Sequence, residues 1–213
     1  MNKLYPIYIK LSGKLCLVAG CGNIALRKAE SLSECGARVR IVAPDITDDK
    51  RNRLGESAEI IQRNYEVQDL DGCTLAIAAT DNPSVNARIA TECRERGIFI
   101  NSVDDPDNCD FYVPSIIRSG DVVIAVSTGG ESPALAAWIR RQIEAVLGDR
   151  MEKGLEIIAC VRRKLIESEP DGYDRRARIF RDFFESELWR GFLDGKCELD
   201  EEGVDEWISC YSD

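Results

Sequence analysis

Histidine is missing altogether from these 213 residues. Its absence removes the commonest proton-transfer side chain, so a general acid or base here must be Asp, Glu, Lys, Tyr or Cys. It also argues against zinc sites built on Cys/His clusters. The nine cysteines are odd in number and scattered, with no CxxC pair, and they read as reduced thiols, mostly buried. No resident metal is expected. No run approaches the roughly 20 apolar residues that span a bilayer. The N-terminal stretch Met1–Lys10 lacks the apolar region of a signal peptide. The expectation is a cytoplasmic protein with no membrane partner. Positive charge is also scarce. Lys and Arg number 28 against 38 Asp and Glu, a net charge of −10, which argues against nonspecific nucleic-acid binding, so no nucleic-acid partner is expected. The basic residues that exist gather at Arg140-Arg141, Arg162-Arg163-Lys164, Arg175-Arg176 and Arg178. They read either as solvated helix faces or as a pocket for a polycarboxylate.

Against these absences stands a glycine-rich turn. Gly20-Cys21-Gly22-Asn23-Ile24-Ala25 follows directly on the apolar run Leu15-Cys16-Leu17-Val18-Ala19. Strand, tight turn and helix start within a dozen residues let backbone N–H groups reach a pyrophosphate. Gly20 takes the turn geometry, Gly22 leaves room for a phosphate, and Ala25 lets the helix pack close to the sheet. The same turn also occurs without a ligand, so GxGxxA alone decides nothing.

From residue 13 to about 104, strand and helix alternate. A helix is expected from Asn23 to Cys35, a strand at Val39–Ala43 ended by Pro44, and a short helix within Thr47–Leu54. Glu59–Gln62 reads as a short strand. Thr74–Ala79 is nearly all apolar, as in a strand buried on both faces. A helix over Ser84–Arg96 and a strand at Ile98–Val103 complete an α/β, Rossmann-type parallel sheet. Its strand C-termini carry Gly20–Asn23, Ala43-Pro44, Thr80-Asp81 and Asp104-Asp105 on one edge, where such sheets bind ligands. One expected element is missing. No acid ends the second strand to hold ribose hydroxyls; Ala43-Pro44 stands there, with Asp45 slightly late.

Beyond Asp104 the pattern changes. Phe111–Val113 and Asp121–Val126 read as two strands around Arg118-Ser119-Gly120. Ser127-Thr128-Gly129-Gly130-Glu131-Ser132-Pro133 then leads into a helix from Ala134 to about Leu147, with Ser132 as N-cap. From Met151 the chain is helical and charge-rich. Phe180, Phe183, Phe184 and Trp189 read as the core of a small helical domain.

The stretches GCGNIALRKAESL, AIAATDNPSVN, NSVDDPDNCDFYVPSII and VIAVSTGGESPALA together resemble the precorrin-2 dehydrogenase / sirohydrochlorin ferrochelatase family of siroheme biosynthesis, the N-terminal region of siroheme synthase. The resemblance is clear over about residues 1–148. It implies an NAD-binding domain at 1–112, a strand-helix dimerisation segment at 113–148 that makes a homodimer, and a helical C-terminal domain at 149–213. The implied reaction is the oxidation of precorrin-2, an eight-carboxylate tetrapyrrole, to sirohydrochlorin, with hydride passing to NAD⁺ and a proton to a base. Iron insertion into sirohydrochlorin is a further activity of some members.

Carried residue by residue, the resemblance makes Asp104 the candidate catalytic base, with Asp105 adjacent. It makes Gly20, Gly22, Asn23, Ile24, Ala43, Pro44 and Thr80 the cofactor contacts. Thr128 falls where relatives carry a serine that can be phosphorylated. A methyltransferase region, absent from these residues, is expected to be a separate enzyme. The missing ribose acid also leaves open a non-catalytic module that senses nucleotide or carries tetrapyrrole.

Overall fold

A computed structural model describes residues 3–55, 58–147, 150–168 and 172–210. The chain divides into two compact units, Met1–Val113 and Pro114–Asp213.

The first unit is built on five parallel strands: β1 (Leu15–Ala19), β2 (Arg38–Val42), β3 (Glu59–Ile61), β4 (Cys73–Ala78) and β5 (Phe99–Ser102), in spatial order β3-β2-β1-β4-β5. The period-2 alternation of a strand divides their side chains between two cores. Cys16, Val18, Ile41, Leu75 and Ile77 face one layer, where α1 (Asn23–Glu34) contributes Ala25, Leu26, Ala29 and Leu32, and α2 (Asp48–Leu54) contributes Leu54. Leu17, Ala19, Val42, Ala76 and Ala78 face the other, under Ile89, Ala90 and Cys93 of α3 (Pro83–Glu95). All five residues of β1 are buried because a strand flanks it on each side and a helix layer covers each face.

Strand order reverses between β1 and β4. The chain leaves β1 toward β2 and β3, then crosses back to β4 and β5, which opens a crevice at the strand C-termini. Helix α3 is fixed by the residues before it. Asn82 accepts from the N–H groups of Ser84 (2.9 Å) and Val85 (3.3 Å), and Pro83 fills the first helical position, where no intrahelical donor is needed.

The second unit begins with an antiparallel hairpin, β6 (Ser115–Ser119) and β7 (Val122–Val126). The strand expected at Phe111–Val113 is not there. Phe111 gives its carbonyl to Asn101 Nδ2 (2.9 Å), a side-chain bond back to β5. The hairpin ladder starts only after Pro114, which has no N–H to extend it. The tight connection is made by Gly120 at φ +55, where side chains are disfavoured.

Helix α4 (Pro133–Leu147) follows, its first turn capped by Ser132 Oγ accepting from Leu135 N (3.2 Å). Then come α5 (Met151–Ser168), α6 (Tyr173–Glu185), α7 (Glu187–Leu193) and α8 (Glu201–Ser209). Their core joins Ile157, Val161 and Leu165 to Ile179, Phe183, Trp189, Phe192 and Val204. Phe183 lies with its ring edge on Trp207, centroids 5.0 Å apart. Of the aromatic group read from the sequence, Phe183 and Trp189 are buried, Phe180 packs at the margin, and Phe184 stays 42% exposed while touching Trp189 edge-on. Much of the basic charge on α5 is met by the acidic end of the chain: Lys153 pairs with Glu198 (2.6 Å) and Lys164 with Asp205 (2.5 Å). No helix among the described residues is long and apolar enough to cross a membrane.

Candidate nucleotide and acid-base site

The parallel register sets Ile61, Val42, Ala19, Ala78 and Ser102 in one row across the sheet. Gly20, Ala43, Pro44, Thr80 and Asp104 lie one or two positions beyond that row, and Gly22, Asn23 and Ile24 follow Gly20 into the start of α1. Backbone bonds continue the alignment past the strand ends: Gly20 N donates to Val42 O (2.8 Å), Ala79 N to Ala19 O (2.8 Å), Ala43 N to Ile61 O (3.2 Å) and Val103 N to Ala78 O (2.9 Å). Asp104 stands two strands from the glycine turn, about 10 Å at ordinary strand spacing.

Gly20 and Gly22 have different physical duties. Gly20 has φ +106, and a Cβ there would fall 2.2 Å from the Ala79 carbonyl oxygen. It is glycine because the ends of β1 and β4 come together at that point. Gly22 has φ −75, and a Cβ there would meet nothing within 4 Å. The space above Gly22 is open, and among the described residues no side chain caps the N-terminus of α1. Asn23 and Ile24, in the first turn, are exposed, Ile24 by 45%. Uncapped N–H groups beneath an open approach fit a phosphate.

Ala43 is buried and Pro44 exposed at the end of β2. Asp45 is exposed beside them. This corner contains residues the sequence reading missed. Arg51 on α2 donates to Gln62 Oε1 (2.5 Å), and Gln62 Nε2 reaches Pro44 O (3.5 Å). Burial pushes the Cys21 thiol up, and Lys50 partly offsets this, so basic charge from α2 lies near the glycine turn.

Thr80 is held by a buried asparagine. Asn86 Oδ1 accepts from the Thr80 hydroxyl (2.6 Å) and N–H (3.2 Å), while Asn86 Nδ2 donates to Thr80 O (3.0 Å). In sequence Asn86 is an unremarkable polar residue inside a helix. Its spacing from the loop in T-D-N-P-S-V-N is the one available hint.

Asp104 is exposed and has φ +59, the one non-glycine residue with positive φ among those described. Asp tolerates this region better than most side chains, yet it remains an uncommon conformation and worth explaining. Just before it, Ser102 is 2% exposed, and its hydroxyl has no hydrogen-bond partner among the described residues. Asp105 accepts from Asn108 Nδ2 (2.7 Å). In the other unit, Thr128 Oγ1 donates to Ser132 O (3.0 Å) and accepts from Ser132 N (3.1 Å), so its hydroxyl closes the glycine-rich loop before α4. Among the described residues, no group of three or more His, Cys, Asp or Glu could hold a metal ion.

A family model described as "Putative NAD(P)-binding" matches residues 7–115. The chain belongs to this NAD(P)-binding family. A second model, described as sirohaem biosynthesis protein central, matches residues 120–145. These matches cover the glycine turn, Asp104 and the S-T-G-G-E-S-P segment, and they bear out the family resemblance read from the sequence.

Siroheme synthases are among the relatives. That of Ectopseudomonas mendocina (strain ymp) is 37% identical over 204 residues, 96% of this chain and 44% of the relative. That of Pseudomonas fluorescens (strain SBW25) is 39% identical over 173 residues, covering 81% and 37%. That of Azotobacter vinelandii (strain DJ / ATCC BAA-1303) is 35% identical over 192 residues, covering 90% and 41%. The chain thus spans less than half the length of each. Among solved structures, SirC, a precorrin-2 dehydrogenase, superposes with TM-score 0.72 at 19% identity, covering 97% of this chain and 98% of the other. The α/β fold with C-terminal helices is therefore shared with that protein.

Proposed function

We propose that this chain oxidises precorrin-2 to sirohydrochlorin with NAD⁺, releasing NADH and a proton. The observation that carries the reading is an exposed carboxylate in a rare backbone conformation, Asp104, on the same sheet edge as an uncapped helix N-terminus. The likeness to siroheme synthases and to a precorrin-2 dehydrogenase supports the choice of substrate. NAD⁺, when bound, supplies the hydride acceptor. Gly22, Asn23 and Ile24 would hold its pyrophosphate at the start of α1, with Gly20 shaping the turn. Ala43 and Pro44 would border the adenosine side, with backbone groups or Asp45 in place of the missing ribose acid. Thr80, locked by Asn86, would border the nicotinamide side.

Asp104 takes the proton that leaves the tetrapyrrole as its hydride departs. With no histidine in the chain, a carboxylate is a fitting base. The same carboxylate would receive pyrrole protons in iron insertion. Homodimerisation through the hairpin and α4 is part of this reading. Leu135, Trp138 and Val146 on α4 are exposed by 47%, 53% and 82%, apolar side chains that a second copy would cover. The cytoplasm is the proposed compartment.

The test is anaerobic incubation of the protein with precorrin-2 and NAD⁺, following the sirohydrochlorin spectrum. Oxidation above the rate without enzyme is expected; a rate equal to it overturns the proposal. Sirohydrochlorin with Fe²⁺ then separates a dehydrogenase from a bifunctional enzyme.

A further inference from the structure

The segment N-C-D-F after Asp104 is used by none of the steps above. In the structure it folds back along the free edge of β5. Inward-facing groups of this strand bond β4, as Val103 N does to Ala78 O. The groups of Ile100 and Ser102 face outward, and residues 109–110 satisfy them. Asp110 N donates to Ile100 O (2.8 Å), and Ile100 N donates to Asp110 Oδ2 (3.3 Å). Ser102 N donates to Cys109 Sγ (3.3 Å), and the Cys109 thiol donates back toward Ser102 O (3.2 Å).

The thiol also reaches Asp105 O (3.3 Å), and Asn101 Nδ2 approaches its sulfur (3.5 Å). Ser102 and Asp105 are the two ends of a turn closed by Asp105 N to Ser102 O (3.4 Å), with Val103 and Asp104 at its centre. Asp104 is the third residue of that turn, where positive φ makes glycine the ordinary choice. An aspartate held there needs a structure that fixes the turn from outside. Cys109 bonds both ends of it.

We propose that Cys109 is a positioning residue, whose thiol clamps the Ser102–Asp105 turn and thereby aims the Asp104 carboxylate at the substrate. Burial pushes the thiol up from its ordinary value, so it stays protonated and able to donate at neutral pH. Serine can make the same bonds; alanine makes none of them. The inference rests on Asp104 being the base.

The test compares Cys109→Ala, Cys109→Ser, Asp104→Ala and Cys109→Ala/Asp104→Ala in the full chain, with precorrin-2 and NAD⁺. Cys109→Ala should lower kcat by about 10- to 100-fold, as expected for a misplaced catalytic group, with the KM for NAD⁺ unchanged. Cys109→Ser should recover most of the rate. In the Asp104→Ala background, removing the thiol should cost nothing further, whereas damage to folding alone would lower the residual rate again. Full turnover in Cys109→Ala with Asp104→Ala inactive overturns this inference and leaves the base assignment standing. Full turnover in Asp104→Ala overturns both.

Discussion

Gly20 and Ala79 meet at the point where the strand order reverses, so closely that a Cβ on Gly20 would lie 2.2 Å from the Ala79 carbonyl oxygen. Two strand ends are locked together there, and Gly22, two residues on, has open space instead. Gly20→Ala should therefore destabilise the protein by about 3 kcal/mol, combining overpacking with a backbone angle alanine avoids. Gly22→Ala should melt like the parent, because φ −75 suits alanine. It should nevertheless bind NAD⁺ roughly tenfold more weakly, since the methyl occupies the phosphate approach. Thermal melts beside calorimetric titration with NAD⁺ check both.

Asn86 is the only side chain bonded to both the hydroxyl and the N–H of Thr80 among the described residues. Asn86→Ala strips the Thr80 N–H and carbonyl of these partners at a partly buried site. The expected cost is about 1–3 kcal/mol in denaturant unfolding, with weaker NAD⁺ binding as the loop loosens. Unchanged NAD⁺ affinity would separate Thr80 from the cofactor.

Asp104 offers a test in which stability and activity part company. Asp104→Gly suits φ +59 better than aspartate does and should change stability by no more than about 1 kcal/mol. Asp104→Asn keeps the shape and removes the proposed base. Both should lose about 100-fold or more in kcat while holding NAD⁺ as before. Steady-state rates and a binding titration on the same preparations read the outcome.

A fourth prediction concerns acid. Burial of Asp69 works against its charged form, but two bonds from Arg63 (2.7 and 2.8 Å) and one from Glu66 N (2.8 Å) prevail and hold its carboxyl below the ordinary 3.8. The unfolded chain then binds the proton more readily than the folded one. The resulting stabilisation is fully present above about pH 4 and fades as pH falls through the lower folded value. Asp69→Asn should be less stable at neutral pH and should flatten the stability profile below pH 4, as denaturant titrations at several pH values would show.

The sheet was legible because its strands carry apolar runs and its helices carry clear stops. Leu15–Ala19 and Thr74–Ala79 carry such runs, and the expected first helix, Asn23 to Cys35, ends just before Gly36. Phe111–Val113 shows the limit. Its composition suits a strand, but the Phe111 carbonyl accepts from the Asn101 side chain, a partner ten residues away that no local pattern reveals. Pattern and resemblance single out the glycine turn and Asp104 as candidates. Asn86, Gln62 and Arg51 were missed because their roles depend on which loops the fold brings together. Gly20 was read as a turn former, but its stronger constraint comes from Ala79, 59 positions later, and only the strand order exposes it.

The folding-back of residues 109–111 also bears on solubility. A parallel sheet ends in two strands whose outer backbone groups can recruit a stray strand and seed aggregates. On β5 the outward groups of Ile100 and Ser102 are already bonded to Asp110 and Cys109, so that border offers an intruder little to pair with. On the opposite border β3 is three residues long, a short template. The segment that bonds both ends of the Asp104 turn therefore also closes that border of the sheet to a further strand.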